Sequence, residues 1–221
     1  MIRALAIVAL LAAPADARRC FSGPMIARPL IGQKPRMSGA GGMIVVGDKL
    51  PDWRFRVLNR IVRPDVVVLA PGLAIYHPPP LPGDEVVLED TEHQLIARAS
   101  RVFSIEPVLD PPAATGVAST TSGGRWVQVT ATFPGKVPPT ARVLIASRVD
   151  GARTVPIAWA FAGPGSTQVT VWHSPYGCDE NITAWVQPKV GERVVLAWVD
   201  DAGRVSEPSR PIVISEGPKR R

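Results

Sequence analysis

Few residues in this sequence are of a type and spacing that could do chemistry. The histidines are His77, His93 and His173, and the cysteines are Cys20 and Cys178. No histidine stands at ligand spacing from another or from a cysteine pair, and a zinc site needs three or four converging ligands. One local cluster joins His173 to Cys178, Asp179 and Glu180. A cysteine nucleophile needs a base nearby. In an oxidising compartment, however, Cys178 has Cys20 as a pairing partner, and a disulfide removes that chemistry. Serine offers no G-x-S-x-G elbow. Gly39-Ala40-Gly41-Gly42 lacks the Lys-Ser/Thr and helix of a phosphate loop. Asp84-Glu85, Glu89-Asp90 and Asp200-Asp201 read as turn residues or solvated strand ends, with no EF-hand pattern behind them. The expectation is no enzyme, no catalytic residue, no cofactor and no metal.

The tryptophans are a different kind of candidate. Trp159, Trp172, Trp185 and Trp198 recur every 13 residues. That interval fits one strand plus its connection, so successive strands can each bring one indole. Exposed, the four form a platform for sugar rings or an apolar partner, because indole offers large area at low entropy cost. Buried, they are core, in a chain with only 5 Phe and 2 Tyr.

The N-terminus sets the expected compartment. Arg3 precedes the apolar run Ala4 to Ala13, Pro14 breaks it, and Ala15-Asp16-Ala17 is an A-x-A site. This reads as a signal peptide over residues 1–17. As a helix the run spans only about 15–18 Å of a roughly 30 Å hydrocarbon core. Arg18 and Arg19 occupy the places where a lipobox needs small or apolar residues. The mature chain is expected to be secreted or periplasmic, with no transmembrane segment. A Cys20–Cys178 bond would close a loop of about 158 residues, which the chain-entropy relation values at roughly 5 kcal/mol. Two unpaired thiols, or a bridge between chains through Cys20, are the alternatives.

The net charge of +6 does not point to nucleic acid. Arg18, Arg19, Lys219, Arg220 and Arg221 carry most of it. Residues 20–218 hold 19 basic against 18 acidic residues. A nucleic-acid reader gathers its Lys and Arg on one face. The expected partner is instead a protein or cell-envelope component of unknown identity.

The elements around these residues read as strands. Of 221 residues, 24 are Pro and 19 Gly, a density that interrupts helices repeatedly. Trp53, Phe55 and Val57 alternate with Arg54, Arg56 and Leu58, placing one face inward. Val127, Val129, Ala131 and Phe133 alternate with Gln128, Thr130 and Thr132 in the same way. Further apolar runs are Met43 to Val46, Val66 to Leu69, Glu85 to Glu89, Gln94 to Ile105, Ala141 to Val149, Pro156 to Phe161, Thr167 to His173, Ile182 to Gln187, Arg193 to Asp200 and Pro211 to Ile214. Asp150-Gly151 between two of them is a strong hairpin signal. Residues 110–124 (DPPAATGVASTTSGG) have the composition of a linker. The predicted fold is all-β, two Greek-key sandwiches in tandem. Residues 18–109 and 125–215 are the sandwiches, and 216–221 a basic tail.

The second half resembles a fibronectin type III-like or bacterial Ig-like domain. The resemblance rests on RVVLAWVDDAGRVSEPS from Arg193 to Ser209, with its D-x-x-G turn from Asp200 to Gly203 and its Ser206 to Ser209 stretch, and on PIVI from Pro211 to Ile214. The first half is similar to bacterial Ig-like domains through LPGDEVVL, Leu81 to Leu88, although such domains usually carry an aromatic where Val86 stands. The resemblance implies architecture and no catalytic residue. The expected function is a non-enzymatic structural or interaction module outside the cytoplasm. The alternative is a carbohydrate- or envelope-binding protein using the tryptophan face.

Overall fold

The computed structural model describes residues 25–28, 36–38, 42–47, 50–79, 85–102, 108–122, 126–173, 188–200 and 202–218. Among the described residues the chain is all-β, with sixteen strands and no helix. The expected signal peptide and the run Ile182 to Gln187 lie outside them.

Two sheets make the N-terminal half. One is antiparallel, in the order β1 (Met25–Arg28), β3 (Met43–Val46), β7 (Leu73–His77), β6 (Asp65–Ala70). The other runs β2 (Arg36–Ser38), β9 (Leu95–Val102), β8 (Glu85–Glu89), β4 (Arg54–Val57), β5 (Arg60–Val62), with only β2 and β9 parallel. Side chains alternate across a strand, so every second residue points inward. Phe55, Val57, Val86, Leu88, Ala97 and Ala99 meet Met43, Val45, Ala74 and Tyr76 in one buried cluster, with Trp53 at its end. The sequence alternation from Trp53 to Val57 reads this face correctly.

The C-terminal half is one hydrogen-bonded series folded over on itself. Its order is β13 (Arg153–Phe161), β12 (Ala141–Asp150), β15 (Arg193–Asp200), β16 (Ile212–Glu216), β10 (Gly116–Ser122), β11 (Trp126–Thr132), β14 (Gln168–His173). Strand β16 joins the two layers. Its Ile212 and Val213 pair antiparallel with β15, and its Ile214 to Glu216 pair parallel with β10. Val117, Val129, Ala131, Phe133 and Val169 pack against Leu144, Ala146, Leu196 and Trp198. The β12–β13 hairpin turns at Gly151-Ala152, between the paired Asp150 and Arg153. Gly151 has φ 59°, in the first loop position where hairpins favour glycine.

The expected linker is corrected by the structure. Within 110–124, residues Gly116–Ser122 form β10, which pairs with β11 along its whole length. The composition concealed it because inward Val117 and Ser119 are small and the intervening residues are Ala and Thr. The expected basic tail likewise begins late, since Glu216 still belongs to β16 and Gly217 N–H donates to Ser119 O at 2.7 Å.

The halves do not hang apart on a tether. Ile44, Val46, Ala70, Leu73 and Ile75 of the first half pack against Val143, Ile145 and Val199 of the second, with Leu69 and Trp159 at the margin. Burying an aliphatic side chain contributes about 1.5–3 kcal/mol, so this seam is worth on the order of 10 kcal/mol. It also explains the composition of β3, β7, β12 and β15. Each is covered on both faces, so MIVV, LAIY, VLIA and VVLAWV are apolar without alternation.

At one end of the seam the backbones themselves touch. Gly42 N–H donates to Ala202 O at 2.6 Å. Gly203 has φ 75°, and a Cβ there would stand 2.6 Å from Gly42 O. Gly151 also has a left-handed φ but open space around it. Gly151→Ala is therefore expected to cost about 1–2 kcal/mol of backbone strain. Gly203→Ala adds a collision with the backbone and is expected to cost at least about twice as much. Urea denaturation of the two variants checks this, and equal losses would contradict the close approach.

Candidate functional site

Of the two readings of the tryptophans, the described side chains follow the buried one. Trp198 lies on the inward face of β15, 3% exposed, with its ring centroid 5.1 Å from that of Phe133. Trp159 of β13 turns the other way, toward the seam, and its Nε1–H donates to Pro71 O at 2.9 Å. The register explains this opposition. Trp198 pairs with Leu144 and Trp159 with Ile145, and consecutive residues of β12 face opposite sides. Two of the four indoles thus sit on opposite faces of one sheet, and the four cannot share a single face. Trp172 is placed in β14 opposite Gln128, its side chain outside the described residues. Trp185, Cys20 and Cys178 also lie outside them, and so does the local cluster except for His173 at the end of β14.

Of the acidic pairs, Asp200, Glu89 and Asp90 have definite places, while Asp84 and Asp201 lie outside the described residues. Asp200 begins a tight turn beyond β15. Its Oδ1 accepts from Ala202 N–H at 2.9 Å and Arg204 N–H at 2.8 Å. Its Oδ2 accepts from Arg204 Nε–H at 2.8 Å, with Arg204 Nη2 at 2.7 Å. Asp200 N–H donates to Arg204 O, and Gly203 N–H to Asp200 O, each at 3.0 Å. The carboxylate is buried, and breaking such a buried pair typically costs about 3–5 kcal/mol. This turn carries the Ala202 carbonyl and Gly203 that meet Gly42, so the buried charge positions one end of the seam.

The first half repeats the same turn. Asp90 Oδ1 accepts from Glu92 N–H at 2.9 Å and Gln94 N–H at 2.8 Å. Asp90 N–H donates to Gln94 O at 3.1 Å, and His93 N–H to Asp90 O at 3.2 Å. His93 takes the glycine's place with φ 63°. The sequence signal was an aspartate four residues before the chain turns back. A D-x-x-G pattern misses it because His93 stands where glycine is expected. Beside it, Glu89 is buried and Arg56 Nη2 reaches both its carboxylate oxygens, at 2.6 and 2.7 Å. His93 Nδ1 lies 3.6 Å from Glu89 Oε2.

Two of the three buried serines among the described residues bond the edge of β15. Ser206 Oγ accepts from Trp198 N–H at 2.9 Å, and Ser209 Oγ accepts from Leu196 N–H at 3.0 Å. Ser206 N–H and Ser209 N–H donate to the carbonyls of the same two residues. The Ser206 to Ser209 stretch thus runs along β15 and satisfies alternate backbone groups that β16 does not reach. Among the described residues, no group of three or more His, Cys, Asp or Glu is arranged to hold a metal ion.

The chain matches no protein-family model and no curated protein.

Among the described residues, Tyr76 has a clearly displaced ionisation. Its hydroxyl donates to Pro51 O at 2.7 Å, and Trp53 meets its ring edge-on at 6.1 Å. Burial raises its pKa, and the Asp52 carboxylate raises it further. The folded state therefore keeps a proton that the unfolded chain releases near pH 10. Stability from this group is complete below about pH 10 and is lost as pH rises through the raised folded value. Tyr76→Phe is expected to be less stable by about 1 kcal/mol at neutral pH. The difference should hold up to about pH 9 and shrink between about pH 10 and 11.5, because only the tyrosine-bearing protein loses this contribution. Urea midpoints for both proteins across that range check it, and a constant difference would contradict it.

Proposed function

We propose that this chain is a non-enzymatic structural or protein-interaction module of the space outside the cytoplasm, built from two Ig-like sandwiches joined into one rigid frame. The apolar seam of Ile44, Val46, Leu73 and Ile75 against Val143, Ile145 and Val199 carries the proposal. A frame is useful when it holds two sets of loops at a fixed separation. A catalyst would need buried polar groups free for substrate. Here Asp200, Ser206, Ser209 and Glu89 are bonded within the protein and fix turns and strand edges.

Strand order supports the Ig-like reading. In the C-terminal half the first, second and fifth strands form one layer, and the third, fourth, sixth and seventh the other. Among the described strands, this division is consistent with the Greek-key order of a fibronectin type III-like sandwich. In the N-terminal half β1, β3, β7 and β6 face β9, β8, β4 and β5, which follows the two-sheet order of an Ig domain. The tryptophan-face alternative loses Trp159 and Trp198, whose rings are engaged in packing.

Binding of the purified chain to isolated bacterial envelope fractions tests the proposal. Saturable binding is expected, abolished when the fractions are treated with protease and retained after periodate oxidation of their glycans. Binding that survives protease and is lost to periodate would favour the carbohydrate reading and overturn this one.

A further inference from the structure

Among the described residues, strand β6 is an outer strand that touches β13 yet leaves three successive valines open to solvent. Val66, Val67 and Val68 are 38, 40 and 62% exposed. They overhang on both faces of their sheet. Val66 and Val68 pair with Tyr76 and Ala74, whose side chains enter the N-terminal core. Val67 pairs with Ile75, whose side chain enters the seam. Both apolar layers therefore run out into solvent at this strand. A second strand laid along β6 would extend both.

Two other outer strands are blunted. Strand β5 is three residues long and begins with Arg60. Strand β13 contains Pro156, which has no N–H to offer a neighbour. Strand β6 reads DVVVLA, with one charge at its start and no proline. Exposed, uncharged edges of this kind pair with other chains.

We propose that β6 is the contact through which two copies of this chain pair, edge to edge and antiparallel, about a two-fold axis at Val67. The occupant follows from the pattern of the strand. Such an axis sets Val67 against its own copy, Val66 against Val68, and Asp65 against Leu69. No charge faces a like charge, and the valines of both copies cover one another on both faces of an eight-stranded sheet. Pairing of identical edges is closed, so it stops at two chains. This pairing does not rest on the extracytoplasmic role proposed above.

Sedimentation of the full chain under reducing conditions tests it, since reductant removes any bridge through Cys20. A concentration-dependent monomer–dimer equilibrium is expected between micromolar and hundred-micromolar chain. Val68→Lys replaces the most exposed valine of the strand and is expected to raise the dissociation constant by about tenfold or more. Val213→Lys, at a comparably exposed valine on β16, is expected to leave it unchanged. Circular dichroism of both variants should match the native protein. A native chain monomeric throughout, an open-ended series of larger species, or equal weakening by both substitutions would overturn the proposal.

Discussion

Two glycines in backbone contact, Gly42 and Gly203, set the separation between the halves of this protein. With a side chain at either position the Gly42–Ala202 hydrogen bond could not form, because the space is already filled by backbone or neighbouring side chains. Everything in the seam follows from that approach. Ile44, Val46, Leu73 and Ile75 reach Val143, Ile145 and Val199 only when the sheets lie at packing distance. The turn that delivers Gly203 is itself held by the buried Asp200 carboxylate, which bonds two backbone amides and the Arg204 side chain. A charge buried at cost to solvation thus serves to fix an apolar contact.

The same economy governs the other buried polar groups. Ser206 and Ser209 continue the bonding of β15 where β16 ends, so Leu196 and Trp198 can stay inside without orphaned amides. Asp90 shapes the β8–β9 connection as Asp200 shapes the chain beyond β15. Two halves with little visible sequence repetition thereby share one local device. In each, one carboxylate oxygen accepts from two backbone amides and so fixes the path of the connection.

Much of the fold was legible because one face of many strands meets solvent. Phe55 and Val57, or Val129, Ala131 and Phe133, alternate with polar neighbours and announce both strand and orientation. Asp150-Gly151 announced its hairpin through the glycine's positive φ. Where both faces are covered the alternation vanishes, and β3, β12 and β15 read only as continuous apolar runs. Leu73 to Tyr76 gives no alternation, and β7 escaped notice. Strand β10 was taken for linker because its ladder to β11 and β16, a long-range property, supplies what its small side chains do not. The site was less legible still. Regular spacing of Trp159 and Trp198 left a shared face and a buried core both open, because spacing along the chain does not say which side of the sheet each indole takes. The Asp90 turn was hidden by His93, a residue that tolerates left-handed backbone more readily than most.

The account's central claim is that the seam makes the two halves one cooperative body. Native-state hydrogen exchange measures this directly. The slowest amides of β3 and β7 in the first half, and of β12 and β15 in the second, are predicted to exchange with the same free energy, through global unfolding alone. An opening of lower energy that releases β3 and β7 while β12 and β15 stay protected would contradict it.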